Sequence, residues 1–593
     1  MEWYRQIQFV AAVAMPDNVA TAYGTTVNGM WADPERLSSA DVADAQARGR
    51  RVLFSVPMIA LTPEVYEAPE TGFLLDEVCL DVDGRPSECD WYYWESKPVF
   101  AACIYSDAFR DYLMERCREG VDRGMDVVNL DEIMTGIGLM DLDPGGTGFC
   151  SRCLDRFRAF AGADDEPDAA ALGDDALRAA LRADDDLYGR YRRFHEQAAF
   201  DVMIAFIDEL RAYVDRVHPS FAISANVGYL GDLVRSFGPL WGCGWGRHLD
   251  FVLLEQHYRV EAGGQHELLP RGSFAASYRL GSALNGSPAW ICPSITVPRQ
   301  LAGQERTTYY QLMFLEAYAN GGRWGYNWWP GVDAATRLAA TAPESLKAWI
   351  RFIDEHRDLY EGATTRNVLA ILYADGPILE HPEAHATYLA LAQALVERGV
   401  QFDVLYGGDG RFNPDELDPD ELARYRTILV PEARGLGRRP AAALEGFARS
   451  GGNVVTFSES PIAEELAVRA DREVLGRFWR DYLDTDGDLI VDAFAGLPAE
   501  RIEVSDPSVR VTHTVAGRRH VLHVLALGYD GATDEVAPVR ELEVRMPWSE
   551  GDPDVSLVTP GEERPLTASV EGDRLRVVVP ELDPYALLVA DAS

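Results

Sequence analysis

Three acidic residues follow short apolar runs of the kind that form buried strands. Asp131 closes the run Val127-Val128-Asn129-Leu130, with Glu132 directly after it, and Glu255 follows the apolar run 251–254. A carboxylate at such a position is costly to bury unless it is paired or has a chemical role. Two carboxylates can cleave a glycosidic bond when one attacks or stabilises the sugar cation and the other protonates the leaving oxygen. We therefore predict Asp131 and Glu255 as a catalytic pair.

Alternation along a strand supports this choice. It places Asn129 and Asp131 on the face opposite Val128 and Leu130. The structural alternatives are a helix N-cap or salt-bridged acid at Asp131 and an arginine-paired acid at Glu255.

Polar and aromatic residues lie near the ends of the same apolar runs. Sugar rings pack their C–H faces on aromatic planes, and their hydroxyls need amides, imidazoles and carboxylates. Each tryptophan alone is more typical of a core, and each asparagine of a turn, but together they favour a carbohydrate site. The predicted substrate-binding residues are Asn129, Glu132, Asn226, His257, Tyr258, Trp91, Trp94, Asn327, Trp328 and Trp329.

The elements that must position these residues read as an α/β fold. Strand-like runs alternate with helical stretches up to about residue 360, which is typical of a (β/α)8 TIM barrel. Functional side chains of such barrels lie at the carboxyl ends of the strands. The predicted strands are 7–13, 51–59, 99–105, 126–131, 221–226, 250–255, 289–293 and 322–327.

Two further domains are predicted after the catalytic barrel, which spans 1–363. Residues 364–498 alternate buried strands and amphipathic helices, as in a doubly wound α/β domain. Residues 499–593 contain short β runs separated by Gly, Pro and Asp, as in a small antiparallel β-sandwich.

Charge excludes several classes of partner. The 593 residues include 95 Asp and Glu against 55 Lys and Arg, a net charge of −40, and Lys97 and Lys347 are the only lysines. Such a field repels nucleic acids and anionic membranes, so neither is expected as a partner. An acid excess with few lysines indicates adaptation to a salt-rich cytoplasm, the alternative being a GC-rich mesophile. No run of 18 apolar residues and no signal peptide is apparent, so we expect a cytoplasmic protein.

The eight cysteines are scattered, which argues against a disulfide framework. Cys150 and Cys153 have the spacing of a zinc pair, but no second CxxC exists, and Cys103 or Cys117 would have to join through the fold. We predict no cofactor and no metal ligands, although Cys150 and Cys153 leave the question open.

A family resemblance rests on several motifs. The stretch SDAFRDYLMERCREGVDRGMDVVNLDEI, then FCSRCLDRFRAF and LEAYANGGRWGYNWWPG, resembles barrel proteins related to family 42 β-galactosidases and, more loosely, family 29 α-L-fucosidases. NVLAILYADG onward resembles the β-galactosidase trimerisation domain, a glutamine-amidotransferase-like fold, and PELDPYALLVAD resembles the terminal β-domain. The resemblance implies a glycosidase and, from that domain, a homotrimer or other homo-oligomer.

Departures from family 42 bear on the activity. Family 42 has Asn-Glu on strand 4 and a Glu nucleophile on strand 7, whereas this chain has Leu-Asp-Glu and a strand-7 run, 290–294, without a carboxylate. A strand-4 acid with a strand-6 acid is more similar to the α-glycosidase clans, and that resemblance implies Asp131 as nucleophile and Glu255 as acid/base. The family 42 zinc cluster has more cysteines than the pair matched here.

We therefore expect a glycoside hydrolase, exo-acting on a small glycoside or oligosaccharide. The alternative is a catalytically inactive carbohydrate-binding barrel. An amidotransferase is excluded because that chemistry needs a nucleophilic cysteine in the second domain, and no cysteine follows Cys292.

Overall fold

The fold divides into two compact units. Met1–Trp31 and Phe251–Ser593 form one, here the outer unit, and Ala32–Asp250 form the other, the middle unit. None of the described helices is long and apolar enough to cross a membrane. The computed structural model describes residues 2–6, 10–11, 29–31, 37–89, 97–133, 140, 142, 146–163, 167–226, 246–256, 259–262, 265–268, 275–293, 307–324, 344–381, 383–408, 410, 413–469, 496 and 499–591.

The middle unit is built on parallel strands. Arg51–Pro57 pairs with Val127–Asp131, which pairs with Ala222–Asn226. In this register, Ser55 lies beside Asn129 and Asn129 beside Ser224. Parallel strands all end at the same edge of a sheet, so Asp131 and Asn226 lie at one edge.

Helices cover these strands and begin at polar caps. Ser38 forms a capping box with Asp41, the Ser106 hydroxyl accepts a hydrogen bond from the Phe109 amide, and Asp184 caps the longest helix. Gly120 is required in its helix because a Cβ there would lie 2.2 Å from Cζ of Phe54. The described helices longer than one turn are Ser39–Ala47, Asp107–Asp122, Ser151–Ala163, Asp174–Ala183 and Asp185–Val217.

The predicted strand 99–105 is wrong as a parallel strand. Residues Phe100–Ala101 instead pair antiparallel with Ala60–Leu61, and the 3-10 helix Gly72–Glu77 lies between these two strands in the chain. An apolar run indicates burial but does not specify the strand with which it pairs.

The outer unit has parallel strands of its own. Trp290–Pro293 pairs with Phe251–Gln256 and with Arg323–Trp324, and Val10–Ala11 pairs with Gly29–Trp31. The last of these strands has no counterpart in the sequence prediction, because three residues are too few to show a period. The helices that follow in this part of the unit are Ala275–Asn285, Thr307–Ala319 and Glu344–Glu355.

Two side chains join the amino-terminal segment to these strands. Arg323 donates hydrogen bonds to the backbone carbonyls of Arg5 and Gln6, and the Trp290 indole N–H donates to the carbonyl of Tyr4. The Trp290 ring stacks on Phe251 with ring centroids 4.3 Å apart.

A second parallel sheet follows in the outer unit. Numbered along the chain, its described strands are arranged 2-1-3-4-5, the order of a flavodoxin-like doubly wound sheet. Buried apolar side chains such as Leu372, Ile428 and Leu444 form its core. Its strands in sheet order are Asp403–Gly407, Leu369–Ala374, Thr427–Val430, Asn453–Thr456 and Val468–Arg469, with helices Glu383–Glu397 and Arg438–Arg449.

Two antiparallel sheets complete the described chain, and inward side chains of both, including Val524, Leu542 and Leu588, form one core. One sheet has the order Glu503–Val504, Val539–Pro547, Arg574–Leu582 and Ala568–Glu571. The other has the order Val509–Ala516, Arg519–Ala526, Tyr585–Asp591, Asp554–Thr559 and Glu562–Leu566.

Candidate functional site

The strand that carries Asp131 is fixed at its amino end by Asp126. This buried carboxylate accepts hydrogen bonds from the Arg51 guanidinium at 2.7 Å, the Gln46 amide at 3.0 Å and the backbone N–H of Val52 at 2.9 Å. Ionic hydrogen bonds of this kind hold backbone position firmly. The register of Val127–Asp131 is therefore set at the end opposite to Asp131.

A buried polar row lies one step below the carboxyl edge. Asn129 is 1% exposed, donates from Nδ2 to the Ser55 hydroxyl at 3.2 Å, and accepts from the Ser224 hydroxyl on Oδ1 at 3.2 Å. The row joins the three parallel strands described in the middle unit. Asn129, predicted to bind substrate, thus uses its amide to hold these strands together beneath Asp131.

The next row toward the edge contains Asp131 and Asn226. The Asn226 Nδ2 donates to Oδ1 of Asp131 at 3.2 Å, and the backbone carbonyl of Asp131 accepts from the N–H of Met58 at 2.9 Å. Asn226 is buried and Asp131 is half-buried. The structure thus places a partly accessible carboxylate at a strand end, as predicted, and brings Asn226 to it.

Glu132 has a left-handed backbone conformation with φ of 53°. A non-glycine residue rarely adopts this conformation, and such strain is concentrated at functional sites and tight turns. The half-buried Glu132 therefore turns the chain away from the strand direction directly after Asp131.

The other predicted site residues are placed only in part. Glu255 lies on the strand Phe251–Gln256 of the outer unit, where its backbone pairs with Cys292. The remainder lie outside the described residues: Trp91, Trp94, His257, Tyr258, Asn327, Trp328 and Trp329.

Four buried cysteines converge elsewhere in the middle unit. The Sγ atoms of Cys79, Cys103, Cys150 and Cys153 all lie within 4.8 Å of one another. The Cys103–Cys153 sulfur distance is 3.8 Å and the Cys150–Cys153 distance is 3.5 Å. A tetrahedral zinc ion with Zn–S bonds of about 2.3 Å places its sulfurs about 3.8 Å apart. The donor set and its spacing fit a structural zinc ion.

Electrostatics around the cysteines favour a thiolate. Hydrogen bonds with the thiols of Cys103, Cys153 and Cys79 hold the pKa of Cys150 far below its usual range. The backbone N–H of Gly148 lies 3.0 Å from Sγ of Cys79, so that sulfur also accepts a hydrogen bond. Hydrogen bonds with the neighbouring thiols, together with burial, raise the pKa of Cys79 and of Cys153 well above the usual range. A bound zinc ion would supply the positive charge that holds all four sulfurs as thiolates.

The structure thus brings together more cysteines than the sequence indicated. Cys150 and Cys153 lie next to Cys103, which was one of the two additional ligands considered from the sequence. They also lie next to Cys79, which was not considered. Cys117 lies buried on the helix Asp107–Asp122, outside the cluster. Cys79 and Cys103 give no spacing signal because they reach the cluster through the antiparallel pairing around Ala60–Leu61.

A neutral histidine lies beside the cysteine cluster. The Nδ1 of His195 lies 2.8 Å from the Tyr105 hydroxyl, and burial lowers the pKa of His195 to about 3. The Arg156 guanidinium lies over the Tyr105 ring at 4.5 Å. His195 therefore stays uncharged at neutral pH and contributes packing and hydrogen bonding rather than charge.

The chain matches no family model and no curated protein. Its fold is similar to solved structures along nearly the whole chain. One is an α-L-fucosidase, isoenzyme 2, from Paenibacillus thiaminolyticus, with 14% identity, all of both chains covered and a TM-score of 0.59. Another is Gan42B, a GH42 β-galactosidase from G. stearothermophilus, with 13% identity, 99% of this chain and 98% of the other covered and a TM-score of 0.61.

A third similar structure is a polyextremophilic β-galactosidase from the Antarctic haloarchaeon Halorubrum lacusprofundi. It has 13% identity, 99% coverage of both chains and a TM-score of 0.58. These similarities confirm at the level of the fold the predicted resemblance to β-galactosidases of family 42 and to α-L-fucosidases. The mixed α/β architecture agrees with them.

Proposed function

We propose that this chain is a retaining glycoside hydrolase with Asp131 as its nucleophile and Glu255 as its acid/base. The observation that carries the proposal is the Asp131 carboxylate, half-buried at the end of a parallel strand and hydrogen-bonded to Asn226. Strand ends are where enzymes of the barrel class carry catalytic groups. The full-length similarity to a fucosidase and to β-galactosidases supports the same reaction class.

The architecture proposed for this function follows the sequence prediction. We propose a (β/α)8 barrel over 1–363, followed by the doubly wound domain 364–498 and the β-sandwich 499–593. We further propose that sugar is bound by Glu132 and by the residues predicted from the sequence, Trp91, Trp94, His257, Tyr258, Asn327, Trp328 and Trp329.

The proposed reaction has two steps, formation and then hydrolysis of a glycosyl ester on Asp131. In the first, an Asp131 oxygen bonds to the anomeric carbon while the bond to the leaving oxygen breaks and Glu255 gives that oxygen a proton. In the second, Glu255 takes a proton from water, and the water oxygen bonds to the anomeric carbon as the Asp131 ester breaks. The carboxylate returns to its initial state, and the product keeps the anomeric configuration.

We propose an α-glycoside as substrate rather than a β-galactoside. The strand Trp290–Pro293 contains no carboxylate, so the position of the family 42 nucleophile is not filled by an acid. A strand-4 acid paired with a strand-6 acid is similar to the α-glycosidase clans. The substrate is a small glycoside or oligosaccharide cleaved from its end.

We also propose that Cys79, Cys103, Cys150 and Cys153 hold one structural zinc ion. Bound there, zinc would cross-link the chain segments that carry these cysteines and would take no part in the chemistry at Asp131. Cys79 and Cys103 anchor the antiparallel segment around Ala60–Leu61, and Cys150 and Cys153 anchor the start of the helix Ser151–Ala163.

A panel of aryl α- and β-glycosides, assayed at molar salt, tests the proposal. We expect turnover of an α-glycoside, with kcat reduced by about 10³-fold or more in Asp131→Asn and Glu255→Gln. Asp126→Asn is the matched control, because it makes the same change at the opposite end of the same strand; it should lower Tm and keep most of kcat. Sugar binding without turnover of any glycoside would instead establish an inactive carbohydrate-binding barrel.

A further inference from the structure

We propose that Asn226 is a positioning residue that holds the Asp131 carboxylate in its attacking orientation. This inference rests on the proposed function and adds a residue to its machinery. Asn226 ends the strand Ala222–Asn226, next to the strand that ends at Asp131, and its Nδ2 donates to Asp131 Oδ1 at 3.2 Å.

Strand register explains why the two side chains meet. Leu130 pairs with Ala225, so the residues that follow them lie at the same level of the sheet. Alternation then directs Asp131 and Asn226 to the face that already carries Asn129 and Ser224. The contact is therefore produced by the backbone pairing and does not depend on a loop.

The support beneath this pair is rigid. The row formed by Ser55, Asn129 and Ser224 is buried or half-buried and joined by hydrogen bonds across all three strands. Asn226 itself is 4% exposed. An amide fixed in this way has little freedom to turn, and it fixes the plane of the carboxylate that it contacts.

The chemistry of the contact suits a nucleophile. An amide N–H only donates, so its partner oxygen on Asp131 must accept, as a carboxylate oxygen does. The hydrogen bond from Asn226 therefore limits how far the attacking carboxylate oxygens can move. A misplacement of about 1 Å in such an atom can cost about 100-fold in rate.

The effect should therefore fall on kcat rather than on KM. Asn226→Leu keeps the size of the side chain and removes the donor, and we expect kcat to fall by about 10- to 100-fold with KM within about twofold of wild type. In an Asp131→Asn background the same substitution should cause little further loss of kcat, because the group that it positions is already absent. If Asn226→Leu does not fold, Asn226→Ser, which is smaller and too short to reach Oδ1, is expected to show the same separation of kcat from KM.

Ser224→Ala is the matched control. It removes a buried hydrogen bond from the same strand and the same face but not one made to Asp131. We expect it to lower Tm and to change kcat much less than Asn226→Leu does. Equal loss of kcat in the two variants, or wild-type kcat in Asn226→Leu, would overturn the positioning role while leaving the glycosidase intact.

Melting temperatures separate this failure from failure of the proposed function. If the hydrogen bond forms, the Tm losses of Asn226→Leu and Asp131→Ala, each of which removes one partner, should add to more than the loss of the double variant. A wild-type protein that cleaves no glycoside overturns both the function and the positioning role. Additive Tm losses in an active protein overturn the Asn226–Asp131 contact alone.

Discussion

The sulfur atoms of Cys103 and Cys153 lie 3.8 Å apart, although fifty positions separate the two residues in the chain. With Cys79 and Cys150 they form a buried group whose sulfurs are spaced as zinc requires. We predict one zinc ion per chain by elemental analysis of the purified protein. Cys103→Ser should lose the metal and lower Tm, and a strong chelator should lower the Tm of wild type.

Cys117→Ser is the control for the zinc prediction, because Cys117 is a buried cysteine outside the cluster. It should retain the metal. Full zinc content in Cys103→Ser, or a metal-free wild type with an unchanged chelator response, would contradict the assignment.

Acid stability should depend on buried histidines. Burial lowers the pKa of His195 and of His523 to about 3. The pKa of His513 is lowered to about 4, mainly by burial and to a smaller extent by the charges of His520 and Arg366. As the pH falls, the unfolded chain binds protons at these histidines near pH 6.5, whereas the folded chain binds them only at lower pH. Stability is therefore complete above pH 6.5 and falls as the pH drops toward 4.

The size of this effect can be measured by urea unfolding at pH 7, 6 and 5. Each histidine contributes up to about 2 kcal/mol of lost stability between pH 6.5 and 5. His523→Gln should flatten the profile in that window. Glu432 contributes only at lower pH. Burial by itself would raise the pKa of Glu432, but hydrogen bonds from Arg434 and Ser458 outweigh burial and lower this pKa to about 2. The stability that Glu432 contributes is therefore lost only below its unfolded pKa of 4.5. An identical slope in wild type and His523→Gln would remove His523 from this account.

Salt should stabilise the protein. A net charge of −40 with only two lysines produces strong self-repulsion at low ionic strength. The Debye length falls from about 10 Å at 0.1 M to about 3 Å at 1 M, so molar salt relieves much of this repulsion. We predict that Tm and activity rise from 0.1 M to 2 M KCl. A flat or falling Tm across this range would favour a salt-independent mesophilic protein.

The segment 364–498 should mediate self-association. Its described strands form the doubly wound sheet predicted by resemblance to a trimerisation domain, and the sequence has no cysteine after Cys292 to support amidotransferase chemistry. Light scattering at working salt should give about three times the chain mass of 65.7 kDa. A mass equal to one chain would contradict the oligomer.

Several elements were predictable because local pattern determines them. The run Val127–Asp131 shows apolar side chains on one face and polar ones on the other, and the structure has a strand there with Asp131 at its end. The run 99–105 has the same apolar character, yet Phe100–Ala101 pairs antiparallel with Ala60–Leu61. Burial is encoded locally, whereas the choice of partner strand depends on the rest of the fold.

The cysteine site shows the same limit more clearly. Cys150 and Cys153 share one helix start, so their spacing is visible in the sequence. Cys79 and Cys103 approach them only after the chain has folded back around Ala60–Leu61, and no period relates their positions. The contact between Asn226 and Asp131 was likewise not predictable, since it depends on the register between two strands. Glu255 and the aromatic sugar-binding residues stay predictions.

Covalent trapping of the intermediate identifies the residue that attacks the sugar. A 2-deoxy-2-fluoro derivative of the sugar identified by the glycoside panel should slow hydrolysis of the intermediate enough for peptide mass spectrometry. We predict that the label is found on Asp131, resolved from Glu132 by fragmentation, and that Asp131→Asn remains unlabelled. A label on Glu132, on Glu255 or on any other residue would contradict the account.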